Sequence, residues 1–556
     1  MSVPKKKTVS EYLEGLIDET GGFSRFQILM FASVSFSKVG PVWSMLVMAF
    51  GGAIPTWWCA NDVSYDMTSY NYSSSHNSTW NSGYNNRNMS SQQCSTSIDN
   101  ATSIACSNFQ FDENMNTIVS EWSLVCDKDW VPSTITTIQM VGLLVSGLVA
   151  GHIADGIGRK PTYFASLLVL TFCNAIAGFS VSWRMFAAMR FLLGFGVGCY
   201  LTVFYTFMME FTPSRHRAVV VAFPSWALWA SILGFIAMWL RDWRHIHFAT
   251  SIMTAPWLFF WWVTPESFRY LVSHNRIDEA QDIVRRMARI NGRPVPNVKE
   301  LRLLADIDRT TQKKYSVRDI LSTKRLRNYT LLLGVGWLSC GYTFYAISFG
   351  VQSLSGNLYY NMFLVTVVEV PAQMSTYFLS NKLGRKPTAL GFLTIASISS
   401  LVVAVAQITD LEIKHQLMNY FALAAKLCVA AAWSTLMLLT TENFPTVVRN
   451  IGFGLQCSVS RVGGMVAPQA VYLNHYFPGA MYFICAGLLF LSALCTGFVP
   501  ETKDKVMRDV IEEGATRGRQ MHLHSLLSSD SPSDDSSGNV TDHVPPDSSK
   551  SGRCTQ

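Results

Sequence analysis

The chain has 556 residues, of which 49% are hydrophobic, 13% are aromatic and only 15% are charged. Soluble domains carry about 25% charged residues, and many apolar runs here reach the roughly 18 residues that a membrane-spanning helix needs. The composition excludes a soluble enzyme, a secreted disulfide scaffold and a fibrous protein. The excess of 44 Lys+Arg over 37 Asp+Glu is no evidence for a nucleic acid partner, because basic cytosolic loops account for the excess.

Hydropathy predicts twelve membrane-spanning segments along the chain. The first follows Arg25 directly, and it is too long for the apolar core of a signal peptide, so we expect it to be retained. The segments lie near residues 26–50, 133–153, 161–180, 186–209, 218–240, 246–264, 329–351, 359–380, 388–408, 416–440, 451–473 and 479–499.

The basic residues predict how these segments are oriented. The region between the sixth and seventh segments holds fifteen Lys and Arg residues, whereas the long region after the first holds only Arg87 and Lys128. Because cytosolic loops are enriched in Lys and Arg, this contrast and the basic run Lys5-Lys6-Lys7 place both termini in the cytosol. The predicted membrane is the plasma membrane.

The segments group into two six-helix halves, at 26–264 and 329–500. The end of the chain, rich in Ser, Asp and Pro from Ser525 onward, cannot bury a core and is expected to be disordered. The other predicted regions are a cytosolic N-terminus at 1–25, an extracellular loop at 51–131, a cytosolic central loop at 265–328 and a cytosolic tail at 501–556.

The long loop after the first segment has the features of an extracellular region. It carries four N-x-Ser/Thr sites, which predict glycosylation, at Asn71, Asn77, Asn88 and Asn100. An even number of cysteines in an oxidising compartment predicts two disulfides with three possible pairings. These four cysteines are Cys59, Cys94, Cys106 and Cys126.

Three motifs occur twice in the same order. Gly158-Arg159-Lys160-Pro161 returns 226 residues later at Gly384, Glu210 with Pro213 and Arg217 returns 232 later at Glu442, and Pro265-Glu266 returns 235 later at Pro500. Each copy falls at the cytosolic end of an equivalent segment. The repeats predict two halves with the same orientation, which is the plan of the major facilitator fold, with a substrate site near the membrane midplane.

The repeated charges suggest gating. Arg and carboxylate groups at cytosolic helix ends can pair across the two halves in one state and separate in another. The alternative is that they anchor helix ends under the positive-inside rule. The predicted gating residues are Asp155, Arg159, Glu210, Arg215, Arg385, Glu442 and Arg449.

Two stretches resemble known transporters. Asp155 to Lys160 resembles the loop signature of the major facilitator superfamily, and Thr441 to Gly452 closely resembles the signature of its organic cation/anion/zwitterion transporter family. The large cysteine-bearing loop after the first segment is similar to that of the same family. The resemblance implies an all-α carrier of twelve helices that moves small organic ions by alternating access.

Charged residues deep in a membrane segment are functional candidates, and Arg461 and Glu369 stand out. The resemblance implies that an Arg at position 461 is typical of anion and carnitine carriers, whereas a carboxylate at position 369 is typical of cation and carnitine carriers. A guanidinium suits a carboxylate, so the two residues predict a zwitterion site. The alternative is that they form a structural pair with each other.

Two lysines and several aromatic residues complete the candidate site. Lys38 could contact an anionic group or neutralise Glu369, and Lys426 is expected to have a structural or gating role. Aromatic faces attract quaternary ammonium groups, and Tyr345 and Trp226 are the aromatic candidates, although packing is the commoner role of such residues.

The predicted function is transport of organic cations or of zwitterions of the carnitine type, and the alternative is exchange of organic anions. No Walker A motif and no zinc-type Cys/His cluster occur in the sequence, so neither an enzyme nor an ATP-driven pump is predicted. The predicted partners are the small organic ion and the lipid bilayer, without a cofactor. Coupling to sodium or to protons stays open, as does the oligomeric state.

Overall fold

The structure is a computed structural model that describes residues 9–59, 94–99, 102–213, 216, 223–296, 316–445 and 448–503. Helices dominate this part of the chain. The four predicted glycosylation sites, the predicted gating residue Arg215 and the predicted disordered tail lie outside the described residues. We call the side that carries the disulfides the outer side and the opposite side the inner side.

The N-terminal half begins with a short amphipathic helix and continues with long apolar helices. Apolar residues lie on all sides of the long helices, which indicates membrane-spanning rather than surface helices. In chain order, the helices of this half are α1 (Val9–Glu19), α2 (Arg25–Phe36), α3 (Val39–Leu46), α4 (Met48–Gly51), α5 (Ile118–Trp122), α6 (Val131–Ile157), α7 (Arg159–Gly178), α8 (Trp183–Phe211), α9 (Ser225–Leu240) and α10 (Trp243–Thr254). A 3₁₀ segment, Ala255–Trp261, follows α10.

The C-terminal half repeats this pattern after a short helical region on the inner side. That region contains α11 (Phe268–Ser273), α12 (Ile277–Asn291) and α13 (Val317–Ser322). The helices of the C-terminal half are α14 (Lys324–Phe349), α15 (Leu358–Val367), α16 (Glu369–Leu383), α17 (Arg385–Ile408), α18 (Lys414–Asn443), α19 (Arg449–Tyr476) and α20 (Ala480–Gly497), with a 3₁₀ turn at Gly350–Ser353.

Nine helical stretches in the described ranges are long and apolar enough to cross a membrane. Three further predicted segments fall on α9, on α10 with its 3₁₀ extension, and on α19. α9 is apolar but only 16 residues long, because it begins at Ser225, after the non-helical residues Phe223 and Pro224. Helices therefore occupy all twelve predicted positions, and the count of twelve spans stays a prediction.

Two of the predicted segments carry a slight irregularity near their middles. One lies at Ser37 and Lys38, between α2 and α3, and the other lies at Val368, between α15 and α16. These residues keep right-handed helical φ and ψ angles, so each segment stays helical through the irregularity.

Two short antiparallel ribbons and two disulfides organise the described part of the outer loop. β1 (Trp57–Cys59) pairs with β4 (Phe109–Phe111), and β2 (Ser95–Asp99) pairs with β3 (Thr102–Ala105). The disulfides join Cys59 to Cys106 and Cys94 to Cys126. The structure thereby selects one of the three pairings that the sequence leaves open.

The end of this loop is fastened to the N-terminal half. Glu121 in α5 forms an ion pair with Arg244 and accepts a hydrogen bond of 2.8 Å from Trp243 Nε1. The Arg244 guanidinium also donates to the carbonyls of Gly178 and Ser180, at 2.6 and 2.7 Å. These contacts hold the loop against the outer ends of α7 and α10.

We expect peptide mapping of the unreduced protein to recover disulfide-linked peptides that join Cys59 to Cys106 and Cys94 to Cys126. The measurement is mass spectrometry of a digest made without reductant, and the reduced digest is the control. Recovery of Cys59 linked mainly to Cys94 or Cys126 would contradict the structure.

Candidate functional site

The repeated motifs form the same structure at the inner end of each half. The Glu266 carboxylate accepts hydrogen bonds from the backbone N–H groups of Arg159 and Lys160, each at 3.1 Å. The Glu501 carboxylate accepts from the N–H groups of Arg385 and Lys386, at 3.1 and 3.0 Å. Each glutamate therefore caps the N-terminus of a membrane helix, where free N–H groups and the helix dipole favour an anion.

A glycine makes each cap possible. Gly158 and Gly384 precede the capped helices with φ of 113° and 107°, a region that disfavours side chains. A Cβ on Gly384 would lie 2.8 Å from Glu501 Oε2, so any other residue would displace the carboxylate. This explains why the Gly-Arg-Lys-Pro motif recurs with its glycine.

The capping hydrogen bonds also affect the ionisation of Glu501, which lies outside the predicted membrane segments. Partial burial acts to raise the pKa of this carboxyl, but hydrogen bonds from the N–H groups of Lys503, Thr502, Arg385 and Lys386 outweigh it and hold the pKa below its usual range. A lowered pKa means that the cap stabilises the fold at neutral pH and is lost as the pH falls through the folded-state pKa.

The predicted gating charges pair within each half. Arg159 contacts Asp155 at 2.7 Å and Glu210 at 3.3 Å, and Arg385 contacts Glu442 at 3.2 Å. Arg449 is half-buried at the start of α19. The structure thus brings most of the predicted set together, but as equivalent pairs in the two halves rather than as pairs across them.

Near the midplane, the ionisable side chains fall into one ion pair and two separate cations. Glu369 and Lys426 form the pair, with Oε1 and Nζ 3.1 Å apart and exposures of 4% and 0%. Lys426 also donates to Ser348 Oγ at 2.7 Å and to the Phe344 carbonyl at 3.2 Å. The counter-ion of Glu369 is therefore Lys426, and neither Arg461 nor Lys38 has that role here.

Arg461 reaches from the C-terminal half into the N-terminal half. Its guanidinium donates to the Leu143 carbonyl of α6 and to Thr202 Oγ1 of α8, both at 3.3 Å. It passes over Gly147, where any Cβ would overlap the guanidinium. No carboxylate among the described residues lies within ion-pair distance of Arg461.

Lys38 is the other cation, and it is 4% exposed. Its Nζ donates to Ser225 Oγ at 2.7 Å and lies 3.9 Å from the centre of the Phe204 ring and 5.5 Å from that of Tyr205. Arg461 and Lys38 thus contact neighbouring residues of the same stretch of α8. Within the described chain, Lys38 has no carboxylate partner either.

The aromatic candidates differ in position. Tyr345 stacks on Phe349 with ring centres 5.9 Å apart, and it lies in the neighbourhood of both Arg461 and Glu369. Trp226 packs against the apolar core, and among the described residues no ring contact or hydrogen bond joins it to the midplane charges. Of the two aromatic candidates, Tyr345 is therefore the one placed near the midplane charges.

A second junction between the halves lies on the outer side. The Asp129 carboxylate accepts a hydrogen bond from Tyr472 at 3.0 Å and another from Tyr476. Two turns deeper, Gln469 Nε2 donates to Thr137 Oγ1 at 2.9 Å. Polar contacts thus join the two halves along α6 and α19 from the outer surface down to Arg461.

Sequence analysis did not identify this outer junction, nor did it identify Gly147. The pattern that could have indicated it is the pair Tyr472 and Tyr476, which are four residues apart and therefore on one face of α19. Nothing in the sequence indicates that Asp129 is their acceptor, because that depends on how α6 and α19 meet.

The arrangement favours a ligand that carries negative charge. Glu369 and Lys426 cancel each other, whereas Arg461 and Lys38 are basic groups beside α8 without a carboxylate partner in the described chain. An ionised group buried without a counter-charge costs several kcal/mol. A substrate carboxylate would supply that counter-charge, and a guanidinium can hold it with two hydrogen bonds.

Comparisons with known proteins identify the family. The family described as "Sugar (and other) transporter" matches residues 46–512. Solute carrier family 22 member 21 of Mus musculus is 30% identical over 77% of this chain and 76% of its own. The human organic cation/carnitine transporter 2 is 29% identical over 73% of each chain. An organic cation transporter-like protein of Drosophila melanogaster is 26% identical over 92% of this chain and 93% of its own.

Solved structures show the same fold. The inward-open conformation of the xylose transporter XylE from E. coli superposes with a TM-score of 0.60 at 15% identity, over 86% of this chain and 98% of that one. A partially occluded inward-open conformation of the same transporter gives 0.57 at 15% identity, over 87% and 99%. The predicted major facilitator fold is confirmed, and the relatives are transporters rather than enzymes.

We expect Asp129→Asn to shift the carrier toward an outward-open form. The change removes the charged acceptor of two tyrosine hydroxyls, and hydrogen bonds to charged groups contribute about 1.5–3 kcal/mol each. The measurement is labelling of Gln469→Cys by a membrane-impermeant maleimide on intact cells, which should be about tenfold faster in the Asp129→Asn background. Asp410→Asn, in an exposed pair with Lys414, is the control. Equal labelling rates would contradict the assignment of an outer junction.

We expect Gly147→Ala to leave the fold intact and to weaken substrate binding. The added methyl group meets only the flexible end of Arg461, so the guanidinium shifts while the backbone stays in place. The measurement is uptake kinetics normalised to surface protein, with a rise in KM as the expected result. Gly151→Ala lies one turn further along α6 with nothing within 4 Å, and it should resemble the unmodified carrier. An equal effect of the two variants would sink this interpretation.

Proposed function

Because the chain is a membrane transporter of the major facilitator superfamily and belongs to its solute carrier 22 family, we propose that it carries small organic ions bearing a carboxylate by alternating access. The observation that supports this most is Arg461. Its guanidinium lies at the junction of the two halves, and within the described ranges it hydrogen-bonds only uncharged oxygens. The substrate carboxylate would bind this guanidinium, with Lys38 contributing a second positive charge.

The first candidate substrate is a zwitterion of the carnitine type. Its carboxylate would bind Arg461, and its ammonium group would approach Glu369 and the nearby Tyr345 ring. Glu369 already binds Lys426, so the ammonium would share that carboxylate. Relatives that are named organic cation/carnitine transporters support this candidate.

The second candidate is an organic anion, and the charge count favours it. With Lys38 protonated, the four midplane groups Lys38, Glu369, Lys426 and Arg461 sum to two positive charges, which a dicarboxylate would neutralise. A simple organic cation fits least well, because the carboxylate it would need is already paired with Lys426. A simple organic cation is therefore less favoured than the zwitterion and the anion among the predicted substrates.

The proposed location is the plasma membrane with both termini in the cytosol. The fifteen basic residues of the region 265–328 support a cytosolic central loop. The two disulfides of the loop after α4 support an oxidising, extracellular environment on the opposite side. In this orientation the Asp129 junction closes the extracellular side.

The test is uptake of three radiolabelled compounds, with and without sodium, in cells that express the chain. The compounds are carnitine, a dicarboxylate and a quaternary ammonium ion. We expect saturable uptake of carnitine or of the dicarboxylate, and a loss of about tenfold to a hundredfold in kcat/KM with Arg461→Gln. Arg276→Gln, which breaks an exposed pair with Glu279, is the matched control and should have no effect.

A double variant separates the two candidates. Glu369→Gln alone would leave Lys426 buried without a partner, which destabilises proteins strongly, so Glu369→Gln is combined with Lys426→Met. A zwitterion should lose its ammonium contact in the double variant and be transported poorly, whereas a dicarboxylate should be transported normally. Saturable uptake of the quaternary ion alone, unaffected by Arg461→Gln, would refute the proposal.

A further inference from the structure

A second charged group lies inside the N-terminal half, away from the midplane site. Arg190 in α8 is 0% exposed and lies seven residues into a helix that starts on the outer side, about 10 Å below that surface. It is surrounded by four other buried polar residues. With them it forms what we call the Arg190 cluster, which comprises Ser44, Gln139, Asn174, Arg190 and His247.

Hydrogen bonds fix the other members of the cluster in place. Gln139 Nε2 donates to the Ser44 carbonyl at 2.9 Å, which turns its Oε1 atom toward Arg190. Asn174 Nδ2 donates to Ser44 Oγ at 2.8 Å, and Asn174 Oδ1 lies 2.9 Å from His247 Nδ1. Because a carboxamide oxygen only accepts, His247 Nδ1 must carry a proton. The neighbouring amides and the imidazole are thus oriented by one another.

Arg190 itself is poorly satisfied. Its Nη2 atom donates to Gln139 Oε1, whereas Nε and Nη1 are buried and have no hydrogen-bond partner among the described residues. The Phe186 ring, 5.9 Å from Arg190 Cζ, is too distant for a strong cation–π contact. Phe186 and Trp243 also form an aromatic wall beside His247, so the surroundings are apolar.

The charge of Arg190 has no counter-ion in the described chain. None of the ion pairs in the described part of the chain involves Arg190. His247, whose ionisation Arg190 influences, is neutral or positively charged and supplies no counter-charge. Buried charges in proteins are normally paired. A water molecule could satisfy the two free N–H groups, but it would not balance the charge. A small inorganic anion does both.

We propose that the Arg190 cluster is a binding site for a small inorganic monoanion such as chloride. The anion accepts hydrogen bonds from Arg190 Nε and Nη1 and neutralises the guanidinium. It is a structural ion of the N-terminal half rather than a transported substrate, because the cluster lies within the bundle of α3, α6, α7, α8 and α10 and not between the halves. This site is separate from Arg461 and does not depend on the proposed substrate.

The test is a halide titration of the purified full chain by thermal unfolding. Sodium chloride replaces sodium gluconate at constant ionic strength, and bromide is tested in the same way. A ligand that binds only the folded protein raises the melting temperature in a saturable manner, here by about 2 °C or more. The absence of any halide-dependent rise would overturn the proposal and leave water as the partner of Arg190.

Two substitutions locate the halide. Gln139→Glu places a carboxylate next to Arg190 and supplies the missing negative charge within the chain, so the halide-dependent rise should disappear while the protein in gluconate stays at least as stable. Arg190→Met removes the positive charge and should also abolish the halide-dependent rise in melting temperature. If one of the two variants fails to fold, the other still provides the test.

Arg461→Gln is the control, because a halide could also bind the midplane guanidinium. The proposal requires that the rise persists in Arg461→Gln and disappears in Gln139→Glu. A rise that persists in Gln139→Glu, or one that disappears only in Arg461→Gln, would assign the halide to another site and refute the proposal. Bromide bound beside Arg190 in an anomalous diffraction map would be direct support.

Discussion

Ionised side chains buried among apolar helices cost several kcal/mol unless a partner lies within reach, and this constraint accounts for most of the polar architecture of the protein. Glu369 forms an ion pair with Lys426, and the carboxylates of Glu266 and Glu501 accept hydrogen bonds from backbone N–H groups. Arg461 and Lys38 are stabilised only in part, by uncharged oxygens and aromatic rings. The incompletely paired groups are therefore those from which ligand binding can be inferred.

The repeated halves could be predicted from the sequence because the contacts that define each repeat lie within one half. Three features recur at nearly constant spacing: a Gly-Arg-Lys-Pro turn, a carboxylate at the end of a neighbouring helix and a Pro-Glu pair. In each half, the residues of these three features contact one another. The hydropathy pattern likewise predicts where the helices lie, since a run of apolar residues is sufficient to define one. The same sequence features also single out all four midplane charges.

The partners of those charges could not be predicted, because they depend on how helices are rotated about their axes. The sequence offered Arg461 or Lys38 as the partner of Glu369 and did not indicate Lys426, which only the packing of α16 against α18 selects. The disulfide pairing depends in the same way on the ribbon β1–β4, which brings Cys59 close to Cys106. The Asp129 junction could not be predicted either, because it depends on how the two halves pack against each other.

The order of contacts along the chain also bears on how the protein assembles. The caps of Glu266 and Glu501 join residues 107 and 116 positions apart, whereas the contacts of Arg461 with Leu143 and of Tyr476 with Asp129 join residues 318 and 347 positions apart. Closing a longer stretch of chain costs more entropy, and contacts distant in sequence form late. Each half can therefore complete its internal structure during synthesis, before the junction between the halves forms. Under the proposed alternating access, the last contacts to form in biogenesis are thus the same contacts that would open and close in every transport cycle.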